Sequence, residues 1–110
     1  MVKTGAMHLD ALRDGREVIL DGERVDDVTR HPAYRNAVAT SGLLYDFQAA
    51  AENIEALTFT SPDSGERVNR CWQMAESYGE LVARRHGLEK WAECHFGFLG
   101  RSPDHVASGL

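Results

Sequence analysis

Basic charge, cysteine and long apolar runs are the features that this sequence has least of. Its 12 lysine and arginine residues are outnumbered by 17 aspartate and glutamate residues, which gives a net charge of −5. Nucleic acids and anionic membrane surfaces bind basic stripes, so neither is expected as a partner. No apolar run approaches the about 18 residues that a membrane-spanning helix needs, so no membrane span is predicted.

Cysteine and histidine are too scattered to predict a metal site. Cys71 and Cys94 are far apart and lack the spacing of metal ligands, and we expect thiols in a reducing cytoplasm rather than a disulfide. No two histidines have the i, i+4 spacing of a zinc-binding helix motif. Cys94 and His95 are neighbours and therefore point to different faces of a helix. The expected compartment is the cytoplasm.

Motifs for phosphate or nucleophile chemistry are also missing. The sequence has no GxGxxG pattern, no P-loop and no nucleophile elbow. Gly97 and Gly100 have neither the glycine spacing nor the lysine of a phosphate cradle. The residues alone therefore show no cofactor site.

What is present is the composition of a globular domain, with 43% hydrophobic and 26% charged residues. A chain of 110 residues forms at most one domain. Capping residues and apolar spacings of three and four predict helices over residues 5–14, capped by Thr4, over residues 32–51, and from Ser77 to a left-handed glycine near Gly97. The predicted apolar positions are Tyr34, Ala37, Val38, Ser41, Leu44, Tyr45 and Gln48 in the second helix and Leu81, Val82, Leu88, Trp91, Ala92 and His95 in the third.

Two β-hairpins are predicted between these helices. Asp21-Gly22 separates extended residues 17–20 from residues 23–25, and this dipeptide favours a two-residue turn because both positions need positive φ. The second hairpin pairs residues 57–60 with 67–72 around the polar loop 61–66. The predicted fold class is mainly helical with two small hairpins.

The last residues predict a rigid corner. Glycines end the third helix, and Ser102-Pro103 is a preferred start for another. Arg101 lies at this corner, where a fixed guanidinium suits an anion or a developing negative charge; the alternative is an exposed arginine at a helix start. His105 follows one turn later and shares its face, either to exchange a proton near neutral pH or as a surface residue. Asp104 favours the helix dipole.

Several aromatic side chains are candidates for the wall of a substrate pocket. Such residues more often pack in a core, so both interpretations stay open at this point. They are Tyr34, Tyr45, Trp72, Trp91, Phe96 and Phe98.

Three blocks in this sequence resemble one family in order and spacing. The last is Gly100-Arg101-Ser102-Pro103-Asp104, which resembles the end of the N-terminal domain in the large component of the 4-hydroxyphenylacetate 3-monooxygenase family. The first two blocks are Thr4-Gly5 with Leu9, Leu12-Arg13-Asp14-Gly15-Arg16-Glu17 and Asp21-Gly22-Glu23-Arg24-Val25, and then Asp27-Val28-Thr29-Arg30-His31-Pro32-Ala33-Tyr34-Arg35-Asn36-Ala37 with Leu44-Tyr45-Asp46.

The resemblance implies that residues 1–110 are the N-terminal helical domain of a longer flavoprotein with an acyl-CoA dehydrogenase-like fold. It implies hydroxylation of a phenol ortho to its hydroxyl with O2 and with FAD that a separate reductase supplies in reduced form. The FAD site then lies mostly outside these residues, and the whole protein is a homotetramer. Arg101 and His105 are implied to be catalytic, with Arg101 facing the phenol. Many relatives carry tyrosine where this chain has His105.

Two alternatives remain at this stage. One is a non-catalytic helical domain that packs against a partner. The other is a flavin-dependent dehydratase related to the enzyme that acts on 4-hydroxybutyryl-CoA. That enzyme carries an iron–sulfur cluster, and the two separate cysteines do not favour it.

Overall fold

The computed structural model describes residues 1–96 of the chain, and these residues form helices and two small hairpins. The predicted fold class is confirmed. The chain divides into two compact units, residues 3–49 and residues 1–2 with 50 onward. No helix in residues 1–96 combines the length and the apolar character needed to cross a membrane. The elements are α1 (Gly5–Ala11), β1 (Ile19–Leu20), β2 (Glu23–Arg24), α2 (Arg35–Ala49), α3 (Ile54–Leu57), β3 (Thr58–Thr60), β4 (Arg67–Asn69), a 3-10 helix (Arg70–Trp72) and α4 (Tyr78–His95).

Helix α1 begins as predicted and ends earlier. The Thr4 hydroxyl oxygen accepts a hydrogen bond from the Met7 N–H at 3.3 Å, which confirms the predicted cap. The Leu12 and Arg13 N–H groups bond to the carbonyls three residues before them, so the last turn tightens and the helix stops before residue 14. Gly15 follows with a φ of 78°.

Helices α1 and α2 meet at a glycine. The Gly5 N–H, one of the unpaired donors at the start of α1, donates to Asp46 Oδ1 at 2.8 Å. A Cβ on Gly5 would lie 2.4 Å from the Gly42 carbonyl oxygen and 2.6 Å from Asp46 Oδ2. The close approach of the two helices therefore requires glycine at this position.

The first hairpin has the predicted turn. Asp21 and Gly22 have φ values of 51° and 80°, the pattern of a two-residue turn with both central residues left-handed. Leu20 pairs with Glu23 in the antiparallel register, and the Val25 N–H donates to the Val18 carbonyl at 2.8 Å. Val25 is buried, so this strand end anchors the hairpin in its unit.

Helix α2 begins at Arg35, three residues after the predicted start. The His31 carbonyl accepts from the N–H groups of Tyr34 and Arg35, so residues 32–34 form a turn that leads into the helix. The predicted apolar face is partly or fully shielded from solvent except at Ala37, which is exposed. A methyl group contributes little apolar area, which explains why this position tolerates exposure.

The second unit contains an element that was not predicted, the four-residue helix α3. Strands β3 and β4 pair antiparallel with Phe59 opposite Val68, which confirms the second hairpin. Residues 70–72, predicted as strand, form the 3-10 helix instead. The reason is Asn69, whose side-chain oxygen accepts from the Cys71 N–H at 2.9 Å and ends the strand.

The Arg70 guanidinium joins three elements of this unit. It donates to the carbonyls of Glu55 at 2.9 Å, Ala56 at 3.0 Å and Thr58 at 2.7 Å, and to Gln73 Oε1 at 3.0 Å. Two of these carbonyls belong to α3, whose last carbonyls have no partner within the helix. Arg70 therefore closes α3 from outside and fixes the path of the chain into β3.

Helix α4 starts at the predicted cap. Ser77 Oγ accepts from the Glu80 N–H at 3.2 Å, and Glu80 Oε2 accepts from the Glu76 N–H at 2.7 Å, which is a capping box displaced by one residue. Trp91 is buried as predicted. Leu81 and Ala92, which were predicted to be on the apolar face, are exposed.

The predicted left-handed end of α4 falls on a different residue. The residue at the end of α4 that has a left-handed conformation is Phe96, with a φ of 54°. Gly97 itself lies outside the described residues.

Adding a methyl group at Gly5 tests the close approach of α1 and α2. We expect Gly5→Ala to destabilise the chain by about 1–3 kcal/mol because the new Cβ overlaps a carbonyl oxygen and a carboxylate. Gly79→Ala is the matched control, since its nearest neighbour would be 3.9 Å away, and it should be neutral or stabilising by up to about 1 kcal/mol. Urea unfolding measures both, and equal stability of the two variants would contradict the packing described.

Arg70 is the second position where the fold can be tested. We expect Arg70→Lys to lose about 2–3 kcal/mol, because one ammonium cannot reach four oxygens and part-buried carbonyls lose their donor. Arg85→Lys is the control, because Arg85 makes only a 3.9 Å ion pair with Glu89 on the exposed face of α4. Thermal and urea unfolding of the two lysine variants should separate them; if Arg70→Lys is as stable as Arg85→Lys, the guanidinium does not hold α3.

Candidate functional site

The two residues predicted to be catalytic, Arg101 and His105, lie outside the described residues, as does the predicted corner at Ser102-Pro103. The last described element before them is α4, which ends at His95. Their role stays a prediction.

The aromatic residues do not share one environment. Trp91 is buried, so the core interpretation holds there. Trp72 and Phe96 are exposed, and the core interpretation is wrong for both. Tyr34, in the turn before α2, and Tyr45, on α2, are partly exposed, and Phe98 lies outside the described residues.

A cavity of about 220 Å³ lies in the first unit, beside the hairpin. Most of its lining residues belong to the blocks that carry the family resemblance, but their spacing did not predict that they surround one space. The sequence feature that could have predicted this cavity is the number of arginines close to the turn of the first hairpin. The lining residues are Leu12, Arg13, Gly15, Arg16, Val18, Arg24, Val25, Asp26, Asp27 and Val28.

Two of the cavity arginines are held by carboxylates. Arg16 donates to both oxygens of Asp14 at 2.7 and 2.6 Å, and these hydrogen bonds hold the pKa of Asp14 at about 2. Arg13 Nε lies 3.4 Å from Asp27 Oδ2. The pKa of Asp27 is lowered first by the hydrogen bond from the Thr29 hydroxyl, and Arg13 adds to this effect.

These pairs decide what the cavity can hold. The carboxylates offset the charge of Arg13 and Arg16, so the cavity is not strongly cationic. Pockets that enclose drug-sized ligands measure about 300–1,000 Å³, and a flavin dinucleotide exceeds the 220 Å³ found in this cavity. The residues that line this cavity therefore do not form a site large enough for FAD.

A second cluster in the first unit joins His8, Lys3 and Tyr45. The His8 ring stacks on the Tyr45 ring with centroids 4.3 Å apart, and Lys3 Nζ lies 5.2 Å from the Tyr45 centroid. Burial lowers the pKa of His8, and the charges of Lys3 and Arg16 lower it further. The sequence did not predict this stacking, because Tyr45 is distant from His8 in the chain.

Metal ligation has no support among residues 1–96, where no three histidine, cysteine or acidic side chains converge. Cys71 is buried and Cys94 is exposed, and both are thiols.

Comparison with known proteins gives consistent results. The family described as 4-hydroxyphenylacetate 3-hydroxylase N terminal matches residues 4–110. The pyoverdin chromophore biosynthetic protein PvcC of Pseudomonas aeruginosa is 43% identical over 105 residues, which are 96% of this chain and 21% of that protein. The oxygenase component of a Rhodococcus 4-nitrophenol 2-monooxygenase is 42% identical over 109 residues, with 97% and 21% covered.

Solved structures show the same similarity. The oxygenase component of 4-hydroxyphenylacetate 3-monooxygenase, solved with FAD and 4-hydroxyphenylacetate, superimposes with a TM-score of 0.82 at 32% identity, covering 94% of this chain and 22% of that one. An archaeal 4-hydroxybutyryl-CoA dehydratase from N. maritimus gives 0.65 at 26% identity, covering 86% and 19%. The chain thus spans about a fifth of the length of the proteins it matches.

The stacked histidine gives a prediction about pH. We expect the pKa of His8 to lie below its ordinary 6.5, so the unfolded chain binds this proton more readily and stability falls as the pH drops below about 6.5. NMR titration of the His8 ring, with urea unfolding at pH about 7.5 and about 5.5, measures both effects.

Two variants check the cause of this shift. Lys3→Gln should raise the pKa of His8 only part of the way, because burial is the larger cause. His8→Gln should remove this residue's share of the pH dependence. A His8 pKa at or above 6.5 would contradict the stacked, shielded environment.

Proposed function

The chain belongs to the 4-hydroxyphenylacetate 3-hydroxylase N-terminal family, and from this membership we propose that it is the N-terminal helical domain of a longer flavin-dependent aromatic monooxygenase. The family match over residues 4–110 carries the proposal. The short span of the chain relative to these proteins supports one domain rather than the whole enzyme.

The names of the relatives support the position of hydroxylation. A 4-hydroxyphenylacetate 3-monooxygenase and a 4-nitrophenol 2-monooxygenase both place oxygen on the carbon next to the one that bears the hydroxyl. We propose the same outcome for the whole protein: one atom of O2 enters the ring ortho to the phenol oxygen, and the other leaves as water. Reduced FAD, when bound, supplies the two electrons. These two relatives take different phenols, so the substrate is proposed only as a phenol.

Further partners follow from the same proposal. The relatives are called oxygenase components, which supports a separate flavin reductase as the second component. The assembly proposed for the whole protein is the homotetramer that the resemblance implies.

Arg101 and His105 are the residues that this domain is proposed to contribute to the reaction. Arg101 stabilises the phenol oxygen as negative charge develops on it, which makes the ring a better nucleophile. His105 contacts the substrate through its imidazole ring, at a position where many relatives have a tyrosine. Asp104 supports the helix start and the orientation of Arg101.

The oxygenase is favoured over the two alternatives. The dehydratase superimposes less closely than the monooxygenase, with TM-scores of 0.65 and 0.82. The sequence also lacks the clustered cysteines that an iron–sulfur site needs. A non-catalytic packing domain is disfavoured because the relatives named above include two monooxygenases.

A chimera tests the proposed function. Residues 1–110 replace the matching N-terminal fifth of the Rhodococcus oxygenase component, and the product is assayed with reduced FAD, O2 and 4-nitrophenol. We expect an ortho-dihydroxylated product. A chimera that elutes as one folded species, binds FAD and forms no such product would contradict the proposal.

Arg101 is tested in the same chimera. Losing one oriented donor to a developing charge lowers turnover by about 10²–10³, and we expect Arg101→Ala to do so while more of the consumed O2 appears as hydrogen peroxide. Arg101→Lys should recover part of the loss, because an ammonium keeps the charge without the planar fork. Arg85→Ala, on the exposed face of α4, is the control and should keep the parent rate. If the Arg101→Ala chimera turns over substrate and releases peroxide at the same rates as the unsubstituted chimera, Arg101 has no catalytic role.

A further inference from the structure

One short segment, residues 72–81, holds four large apolar side chains that are exposed to solvent. The exposed fractions are 54% for Trp72, 85% for Met74, 82% for Tyr78 and 55% for Leu81. Single exposed apolar residues are common on protein surfaces, but a concentration of aromatic and thioether groups is typical of interfaces. This segment is therefore the strongest candidate for a contact surface in the described part of the chain.

The local structure holds this segment in place. Its first residue closes the 3-10 helix that Arg70 stabilises. Its last turn is fixed by the Ser77 cap and by the bond from the Glu76 N–H to the Glu80 carboxylate. Tyr78 and Leu81 are three residues apart in α4 and share one face. The apolar groups are thus displayed on an ordered backbone, and their burial would cost little backbone entropy.

The same helix already has a buried side. Gly87 and Trp91 are the buried residues of α4, and a Cβ on Gly87 would lie 3.0 Å from the Ala56 carbonyl oxygen. Tyr78 and Leu81 are not used in that packing, since both are exposed. Apolar groups that lie together outside the packed side of a helix are typical of a surface that contacts a partner.

A second copy of the chain is a poor occupant of this surface. Within residues 72–81 the charged residues are Glu76 and Glu80, and there is no lysine or arginine. A symmetric pair of such surfaces would bring like charges together as the apolar groups became buried. The relatives offer a different occupant, because this fold makes up about a fifth of their chains.

We propose that residues 72–81 are the surface on which the remaining four-fifths of a family-length chain packs. The inference rests on the proposed function for the existence of that longer chain, but not on its catalysis. The occupant is an apolar face of the same polypeptide, beyond the matched fifth.

Hydroxyl-radical footprinting tests this proposal, because one tryptic peptide contains all four side chains. Cleavage after Arg70 and Arg84 releases residues 71–84, with no lysine or arginine between. Residues 17–24 form the control peptide, which contains Ile19, exposed to 55% like Leu81. We compare the isolated 110-residue chain with the Rhodococcus chimera. Burial in an interface should lower the modification of 71–84 about threefold or more in the chimera, while 17–24 changes little.

The outcomes separate this proposal from the proposed function. Protection of residues 71–84 in a folded but inactive chimera would support the proposed surface and contradict the proposed function. An active chimera in which 71–84 is modified as fast as in the isolated chain would overturn the surface. Protection that appears in the isolated chain and rises with its concentration would identify a second copy as the occupant and would also overturn it.

Charged substitutions at this surface give a second test that does not depend on footprinting. The double variant Tyr78→Lys with Leu81→Lys should lower the unfolding midpoint of the isolated chain only slightly, since both side chains are exposed there and the helix dipole disfavours the new charges only weakly. In the chimera it should lower the yield of folded protein, whereas Ile19→Lys should not. A chimera that tolerates the double variant as well as it tolerates Ile19→Lys would contradict the proposal.

Discussion

Arg70 makes most of the side-chain hydrogen bonds that hold α3 in the second unit, and Arg67 adds bonds to the Ile54 carbonyl and the Thr58 hydroxyl. Arg70 donates to three backbone carbonyls and one side-chain oxygen, and these acceptors lie on both sides of the junction between α3 and β3 and just past the 3-10 helix. A four-residue helix is too short to be stable by itself. Its carbonyl ends need an external donor, and Arg70 supplies it from a position 12 to 15 residues later in the chain. The hairpin between them brings that donor back to α3.

Local features of the fold could be predicted from the sequence because they depend on neighbouring residues. The Thr4 and Ser77 caps and the Asp21-Gly22 turn each involve groups within three or four positions of one another. Helix α3 and the 3-10 helix were missed because they depend on side chains that act over longer distances or that compete with a strand. Asn69 ends β4 through its own side chain, and nothing in apolar spacing signals that event.

Exposure was harder to predict than secondary structure. Spacing correctly placed Trp91 on the packed face of α4, but it also placed Leu81 and Ala92 there, which are exposed, and it missed Gly87, which is buried. Apolar spacing does not identify glycine as a packing residue, although Gly87 allows α4 to lie close to the Ala56 carbonyl. For the site, the residues alone predicted a fixed Arg101 suited to an anion, with His105 one turn later, and the family resemblance added the phenol and the flavin. The His8 and Tyr45 stack joins residues of α1 and α2 that no local motif connects.

The contact between Gly5 and Asp46 also constrains the order in which the chain folds. Helix α1 has seven residues, and the acceptor for its first N–H is 41 positions away. A helix of this length is not stable alone. Helix α1 is therefore stable only when α2 is present to pack against it. During synthesis the N-terminal segment would therefore wait, largely unstructured, until residue 46 had left the ribosome. The stability of the first element therefore depends on residues that are synthesised about forty positions after it.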